Sequence, residues 1–270
     1  MSSNSGFRKV KFHAPGIPSA TVIATRDFLP GEIVLDEKEP LMLVPQETLH
    51  QKSLLIYRPE LRVFLASFLA FTKLDTDKKK SFLTLPCPAI GAAESGIRHE
   101  CKDFHFKPDV QTHARILAPN EMDTLVKVFN IMKIIICGRK DGKAVFAEFS
   151  NFHHSCIANC SWLGTDEGGM RVRTIKPVFS GEEMTISCYP ERDTWPTHLR
   201  RYKLLEGKEF TCHCPRCDAP GDDTRQFDCF DPACKGVMMV CQPVNTIEQL
   251  TMLPYTGVEY VEPHLLPCTV

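Results

Sequence analysis

The first part of the chain alternates short apolar runs with turn residues, a pattern typical of β-structure. Within residues 8–45, apolar runs at 21–25 and 33–35 flank a turn at 29–32, which predicts a β-hairpin. A further run at 41–45 predicts one more strand, ended by its proline. We therefore expect this segment to consist mainly of strands joined by tight turns.

From Gln46 the apolar residues recur at intervals of three and four, which indicates helices. Residues 61–71 carry such a stripe, and Pro59 suits the first turn of the helix that contains it. The charged stretch 75–80 that follows is predicted to be a solvated loop.

Helical and extended patterns then alternate over residues 119–206. Residues 119–136 form an amphipathic helical stripe, and residues 144–149 are predicted to be a buried strand. Strands are also expected within 170–175, which alternates clearly, and within 179–189. A helix is expected over residues 198–206.

Polar side chains are concentrated directly after the apolar run 144–149. The stretch reads Ser150-Asn151-Phe152-His153-His154-Ser155-Cys156-Ile157-Ala158-Asn159-Cys160. Two adjacent imidazoles, two thiols and two carboxamides at the end of a strand are placed to face a ligand. A loop with incidental Cys and His is the alternative, and the motif alone leaves both interpretations open.

Composition and charge narrow the class of function. The 270 residues are 43% hydrophobic and 24% charged, which is ordinary for a globular protein of one large or two modest domains. Lys and Arg number 32 against 33 for Asp and Glu, so no overall positive field indicates a nucleic-acid partner. There is no apolar run of about 18 residues to span a membrane, and residues 1–11 lack the apolar centre of a signal peptide. We expect a cytoplasmic or nuclear protein.

Thirteen cysteines need an explanation, because reducing compartments do not favour disulfides and an odd number leaves one thiol unpaired. The tightest group is Cys212-His213-Cys214-Pro215-Arg216-Cys217. Three thiolates within six residues cannot all pair in unstrained disulfides, but they can bind one tetrahedral Zn²⁺ and leave its fourth position for a distant ligand. Unligated thiols are the alternative. A second candidate metal site, with looser spacing, consists of Cys229, Cys234, Cys241 and Cys268.

Four features occur in one order along the chain. They are the turn Ala24-Thr25-Arg26-Asp27 with Gly31-Glu32, the cluster His154-Ser155-Cys156 with Asn159-Cys160, the segment Gly181-Glu182-Glu183 with Thr185-Ile186-Ser187 ending in a tyrosine, and the tail motif Cys-x-Cys-x-x-Cys. Together they resemble a SET domain with a cysteine-rich post-SET tail, similar to the SET-and-MYND proteins, over about residues 8–217. The MYND zinc finger is missing, because residues 46–115 contain only Cys87 and Cys101.

The resemblance implies an α+β, mainly β fold: a SET fold of small β-sheets with a knot-like crossing, a helical insert and a zinc-binding post-SET tail. It also implies methyl transfer from S-adenosylmethionine to a lysine of a protein substrate. Such a site works by positioning and electrostatics, since the displacement needs no covalent enzyme intermediate.

The family pattern also implies roles for individual residues. The implied zinc ligands are Cys156, Cys212, Cys214 and Cys217. The implied cofactor contacts are Asn130, Ser150, His153, His154 and, packed near the adenine, Phe210. Tyr189 would be the phenol that orients the lysine amine, and its alternative is a core tyrosine at a strand end. A zinc ligand from a separate segment would couple metal binding to completion of the pocket.

Three positions depart from the family pattern. His153 stands where asparagine is usual, and imidazole does not offer the paired donor and acceptor of a carboxamide. Ser19-Ala20-Thr21 replaces a glycine-rich turn near the cofactor's carboxylate. Counted from Glu183, Cys188 falls at the customary tyrosine position, so a one-residue bulge must aim Tyr189 inward. The alternative function is therefore a catalytically weak or inactive SET-like zinc module that acts in protein–protein interaction.

The resemblance and the predicted elements together divide the chain into five segments. They are the N-terminal part of the SET domain (8–45), a mostly helical insert (46–138), the core SET segment (139–190), the post-SET zinc segment (191–218) and a Cys-containing C-terminal extension (219–270). The sequence ends two residues after Cys268 without a recognisable end to an element, which suggests a fragment.

Overall fold

The structure is a computed structural model that describes residues 6–14, 17–50, 59–86, 119–208, 210–229, 233 and 237–241. Backbone contacts divide the chain into two compact units. The sheet unit consists of Met1–Phe152 and Ser161–Met184, and the tail unit consists of His153–Cys160 and Thr185–Val270. Within the part of the chain that the structure describes, no helix has the length and apolar character that crossing a bilayer demands.

The described residues contain short strands and helices in alternation. The strands are β1 (Phe7–Ala14), β2 (Ile17–Ala24), β3 (Ile33–Glu37), β4 (Met42–Pro45), β5 (Cys137–Arg139), β6 (Gly142–Val145), β7 (His153–His154), β8 (Cys160–Gly164), β9 (Met170–Thr174), β10 (Thr185–Ile186), β11 (Gly221–Asp228) and β12 (Val237–Cys241). The helices are α1 (Gln46–Leu49), α2 (Pro59–Thr72), α3 (Thr76–Leu83), α4 (Pro119–Ile135), α5 (Thr197–Lys208) and α6 (Pro215–Asp218).

The strands pair into small sheets, as the sequence indicates, but one predicted pairing is wrong. β3 does not form a hairpin with β2; it pairs antiparallel with β9, in a sheet of order β3-β9-β8. β2 pairs instead with β1, from Phe7↔Ala24 to Ala14↔Ile17. Pro15-Gly16, a strong turn signal, lies in sequence between those paired ends. The Lys- and Arg-rich composition of β1 conceals its extended conformation in a search for apolar runs.

Two turns with similar sequences face each other across an isolated antiparallel bridge. The amide of Phe28 donates to the carbonyl of Val178 (2.8 Å), and the amide of Val178 donates back to Phe28 (3.0 Å). Gly31 in the first turn has φ +92° and Gly181 in the second has φ +93°. Because side chains with a Cβ rarely adopt that conformation, glycine is required at both positions.

The glutamate after each of these glycines closes its own turn. Glu32 Oε1 accepts a hydrogen bond from the amide of Leu29 (2.7 Å), and Glu182 Oε2 accepts one from the amide of Phe179 (2.9 Å). The Gly-Glu pairs that carry part of the family resemblance therefore have a local explanation. The glycine adopts the positive φ of the turn, and the glutamate accepts a hydrogen bond from an amide of the same turn.

The principal core of the sheet unit lies between its helices and the sheet of order β4-β6-β5. α2 packs against α4, and the predicted start of α2 at Pro59 is confirmed. The buried residues of this core are Met42, Val44, Leu49, Ala66, Phe71, Phe82, Leu85, Val126, Val128, Ile131, Met132, Ile135 and Val145. The strand predicted over 144–149 is shorter than expected, because β6 ends at Val145 and a 3₁₀ helix follows at Phe149–Asn151.

The charged stretch predicted as a loop is a helix, α3. Asp75 caps its N-terminus by accepting a hydrogen bond from the amide of Lys78 (2.8 Å), and Phe82 anchors it in the core. The run of lysines suggested a solvated loop. Asp75 directly before it is an N-cap residue, and that residue is the signal for a helix.

Glu37 at the end of β3 holds the segment that leads into the polar motif. Its carboxylate accepts hydrogen bonds from three successive amides: Ala147 (2.8 Å), Glu148 (3.2 Å) and Phe149 (3.0 Å). Burial raises the pKa of Glu37, and these amide hydrogen bonds act in the opposite direction. A single side chain from β3 thus satisfies the donors at the entrance of the 3₁₀ helix that precedes residues 153–160.

We expect Glu37→Gln to destabilise the chain by about 1–3 kcal/mol, because the amide that replaces one oxygen presents donors to buried N–H donors. Equilibrium urea unfolding measures the change. Glu39→Gln is the matched control, since Glu39 is exposed. Equal unfolding midpoints for the two variants would contradict the anchoring role of Glu37.

Candidate functional site

Four cysteine sulfurs of the tail unit come together in one cluster. Cys156 follows β7, Cys212 and Cys214 lie between α5 and α6, and Cys217 is on α6. The four Sγ atoms lie within 4.8 Å of one another, and Cys156 Sγ is 3.9 Å from Cys212 Sγ and 3.6 Å from Cys217 Sγ. A tetrahedral Zn²⁺ with Zn–S bonds of about 2.3 Å separates its sulfurs by about 3.8 Å. The donor set therefore fits zinc.

The chemistry of the cluster also suits a closed structural metal site. Cys156, Cys212 and Cys217 are buried, Cys214 is half-buried, and all four are free thiols. Hydrogen bonding with Cys156 lowers the pKa of Cys214 and brings that of Cys217 to about 7. Because four protein ligands complete a tetrahedron, no position remains for substrate or water.

His154 joins this cluster to the segment after β10. Its Nδ1 accepts a hydrogen bond from the amide of Cys188 (3.0 Å), and its Nε2 lies 3.3 Å from Cys156 Sγ. Burial lowers the pKa of His154 to about 4, so the ring is neutral near pH 7. Since Nδ1 is an acceptor, the ring proton is on Nε2, which donates to the sulfur of Cys156.

Arg200 on α5 provides a buried cation beside the same cluster. Only 3% of its surface is exposed, and its guanidinium donates to Trp195 O, to Thr197 Oγ1 (2.8 Å) and to Cys217 Sγ (3.6 Å). Arg200 was not among the site residues predicted from the sequence. An arginine inside an amphipathic helix that ends shortly before three closely spaced metal cysteines is a signal that could have identified it.

Tyr189 and Cys188 follow β10 and pack on the outside of the cluster. A Cβ at Gly207 of α5 would collide with the Tyr189 hydroxyl, so only glycine leaves room for this phenol. The guanidinium of Arg192 lies 5.1 Å from the centre of the tyrosine ring. Burial raises the pKa of both Tyr189 and Cys188, which keeps phenol and thiol protonated.

Phe210 precedes the zinc cysteines and covers the imidazole of His154. The two ring centroids are 5.6 Å apart, and Phe210 packs against the cluster of Cys156, Leu204, Cys212 and Cys217. The structure therefore brings seven of the predicted site residues together in the tail unit, namely His154, Tyr189, Phe210, Cys156, Cys212, Cys214 and Cys217.

Asn159, which provides the second carboxamide of the motif, has a structural role. Its Oδ1 accepts a hydrogen bond from the amide of Thr185 in β10 (2.8 Å). The backbone of His153 and His154 pairs in parallel with Thr185 and Ile186. The turn 155–160 is consequently tied to β10 at both of its ends.

Asn130 and Ser150, the other predicted cofactor contacts, belong to the sheet unit. Asn130 on α4 is 4% exposed, and its buried Oδ1 has no hydrogen-bond partner among the residues that the structure describes. A buried carbonyl oxygen without a donor is uncommon and costs free energy, which fits a position completed by a ligand. Ser150 donates its hydroxyl to Phe146 O in the 3₁₀ turn, so its side chain has a local partner.

The second candidate metal site stays a prediction. Cys234 and Cys268 lie outside the described residues. Among the residues with described side chains, the Cys156, Cys212, Cys214 and Cys217 cluster is the one group of His, Cys, Asp or Glu ligands with metal-binding geometry.

Comparisons with known proteins bear on residues of both units. The model of the SET domain family matches residues 20–189. A SET and MYND domain-containing protein of Dictyostelium discoideum is 34% identical over 117 residues, which cover 41% of this chain and 30% of that protein. The protein-lysine N-trimethyltransferase SMYD5 of Gallus gallus is 34% identical over 88 residues, which cover 31% of this chain and 20% of that protein. The aligned regions therefore span less than a third of each relative's length.

Solved structures with a similar backbone include the SET domain of LSMT bound to lysine and AdoHcy. The TM-score is 0.48 at 11% identity, over 84% of this chain and 56% of that one.

We expect Cys217→Ser to lose one equivalent of bound zinc per chain relative to the unmodified protein, because a tetrahedral thiolate site loses affinity steeply with one ligand removed. Elemental analysis of purified protein measures the metal content. Cys160→Ala is the control, since Cys160 is a buried free thiol outside the cluster. Unchanged zinc in Cys217→Ser, or equal loss in both variants, would rule out this cluster as the metal site.

Proposed function

The chain belongs to the SET-domain family, and on that premise we propose that it transfers a methyl group from S-adenosylmethionine to a lysine of a protein substrate. The resemblance and the mainly β, α+β fold class predicted from the motifs are confirmed. The observation that carries the proposal is that the family match extends over residues 20–189, from β2 to Tyr189, and includes both Gly-Glu turns.

S-adenosylmethionine, when bound, would supply an electrophilic methyl group on a sulfonium. We assign its contacts to Asn130, Ser150, His153, His154 and Phe210. The unpartnered Oδ1 of Asn130 supports this assignment, because a ligand donor would satisfy it. Both imidazole nitrogens of His154 have protein partners, so His154 would offer its backbone.

Tyr189 would orient the reacting amine. Its protonated phenol can accept one N–H of a neutral lysine amine and leave the nitrogen lone pair directed at the methyl carbon. The lysine reaches this state by losing a proton to solvent before it enters a desolvated position, where burial disfavours the ammonium form. The remaining contribution of the protein is alignment.

The zinc centre would act structurally. With Cys156, Cys212, Cys214 and Cys217 as ligands, it fixes residues 153–160 to the tail that carries Phe210. A zinc site of four thiolates is typical of reducing compartments, where disulfides do not compete for the cysteines, and this supports a cytoplasmic or nuclear location.

A catalytically weak SET-like interaction module is the second candidate. The position of the Tyr189 hydroxyl against Gly207 favours it, because a phenol packed on a helix is partly committed to structure. The two candidates differ in cofactor binding and in turnover.

We expect isothermal titration of the zinc-loaded chain to show binding of S-adenosylmethionine, and a peptide array to show methyl transfer that Tyr189→Phe lowers by about 100-fold. Tyr202→Phe on α5 removes a phenol oxygen outside the assigned site and should retain transfer. Absence of heat and of transfer at millimolar cofactor would leave the interaction module.

We expect Gly207→Ala to lower methyl transfer while cofactor binding persists, because the added methyl group displaces the Tyr189 hydroxyl. Initial rates and titration heats measure the two effects. Gly138→Ala is the matched control, since a Cβ there meets no atom within 4 Å. Equal rates for both variants would contradict a positional role of the phenol.

A further inference from the structure

The buried tail cluster poses an electrostatic problem that its ligands alone do not solve. One Zn²⁺ with four thiolates carries a net charge of −2, and three of the four cysteines are buried. Burying such a charge is costly unless neighbouring donors and cations compensate it.

Arg200 is placed to provide this compensation. It is 3% exposed, and no acidic side chain in the described residues forms an ion pair with it. Its hydrogen-bond partners are a carbonyl, a hydroxyl and the sulfur of Cys217 at 3.6 Å. The Asp193 carboxylate interacts electrostatically with this guanidinium but forms no ion pair with it among the described residues. The direct contact of Arg200 with a cysteine sulfur therefore places its charge where the buried anionic metal site needs compensation.

His154 contributes a neutral donor on the opposite ligand. Its Nε2 lies 3.3 Å from Cys156 Sγ, while its Nδ1 accepts the amide of Cys188 at 3.0 Å. The second hydrogen bond fixes the tautomer that the first one needs. The imidazole thus links one zinc ligand directly to the backbone beside Tyr189.

We propose that Arg200 and His154 are the positioning residues of the zinc centre: Arg200 balances the thiolate charge at Cys217, and His154 transmits metal occupancy from Cys156 to the backbone of Cys188. The proposal rests on the zinc centre of the proposed function but does not depend on methyl transfer. Loss of zinc weakens the sulfur acceptor, and the imidazole then ceases to hold residues 187–189 in place.

Arg200 is tested by competition for zinc with a chromophoric chelator, using the full chain. We expect Arg200→Gln to weaken zinc binding by about 10- to 100-fold and Arg200→Lys by less, because the ammonium restores charge without the planar donor geometry. Lys203→Gln is the control, since it removes a positive charge from the same helix away from the sulfurs. Equal zinc affinities for Arg200→Gln and Lys203→Gln would overturn the charge-balancing role.

His154 is tested by two substitutions that each keep one half of its hydrogen bonding. His154→Gln places a side-chain donor where Nε2 lies, so we expect zinc affinity within about 3-fold of the unmodified chain but fast amide exchange at Cys188 with or without metal. His154→Asn places a side-chain acceptor where Nδ1 lies, so we expect zinc affinity to fall about 10- to 100-fold while exchange at Cys188 stays slow when zinc is saturating.

Hydrogen–deuterium exchange of the peptide that contains Cys188 and chelator competition give the two readouts. In the unmodified chain, exchange at Cys188 should quicken when zinc is removed. No effect of zinc on that amide, or equal changes of both readouts in Gln and Asn variants, would overturn the proposal, because a ring that only fills space gives no such separation. Neither readout requires methyl transfer, so a failure here is distinct from a failure of the proposed activity.

Discussion

The structure of the tail unit depends on one shared set of thiolates. Cys156 lies 56 residues before Cys212, yet their sulfurs are 3.9 Å apart. Closing so long a loop costs chain entropy, and metal–thiolate bonding is strong enough to offset it. The neighbouring elements are too short to do so alone, since β7 and β10 have two residues each. Around this cluster lie His154, Phe210 and Tyr189.

A second recurring device in this fold is a carboxylate that satisfies backbone amides. Glu37 holds three amides before the polar motif, while Glu32 and Glu182 each close a Gly-containing turn. These glutamates occupy strand ends, where orphaned donors accumulate. Their role is local geometry, and it explains why acidic side chains are placed among short strands that bury little apolar area.

Chemistry with a fixed spacing could be predicted from the sequence, and pairing between distant segments could not. Cys212, Cys214 and Cys217 indicate zinc by themselves, because few other arrangements accommodate three adjacent thiolates. The choice of Cys156 as fourth ligand needed the family resemblance. The partner of β3 was not predicted because β9 is more than 130 residues away. The apolar periodicity of a strand does not indicate which other strand it pairs with. Arg200 was not predicted because its role depends on its contact with Cys217, which only the folded chain brings about.

We infer that Cys156 shares one zinc ion with Cys212, Cys214 and Cys217 while His154 stays outside the coordination sphere. X-ray absorption at the zinc edge of the zinc-loaded chain tests it directly. We expect four sulfur scatterers at about 2.3 Å and no imidazole shell. A first shell of three sulfurs and one nitrogen at about 2.0 Å would contradict it, because a histidine would then occupy the place assigned to Cys156.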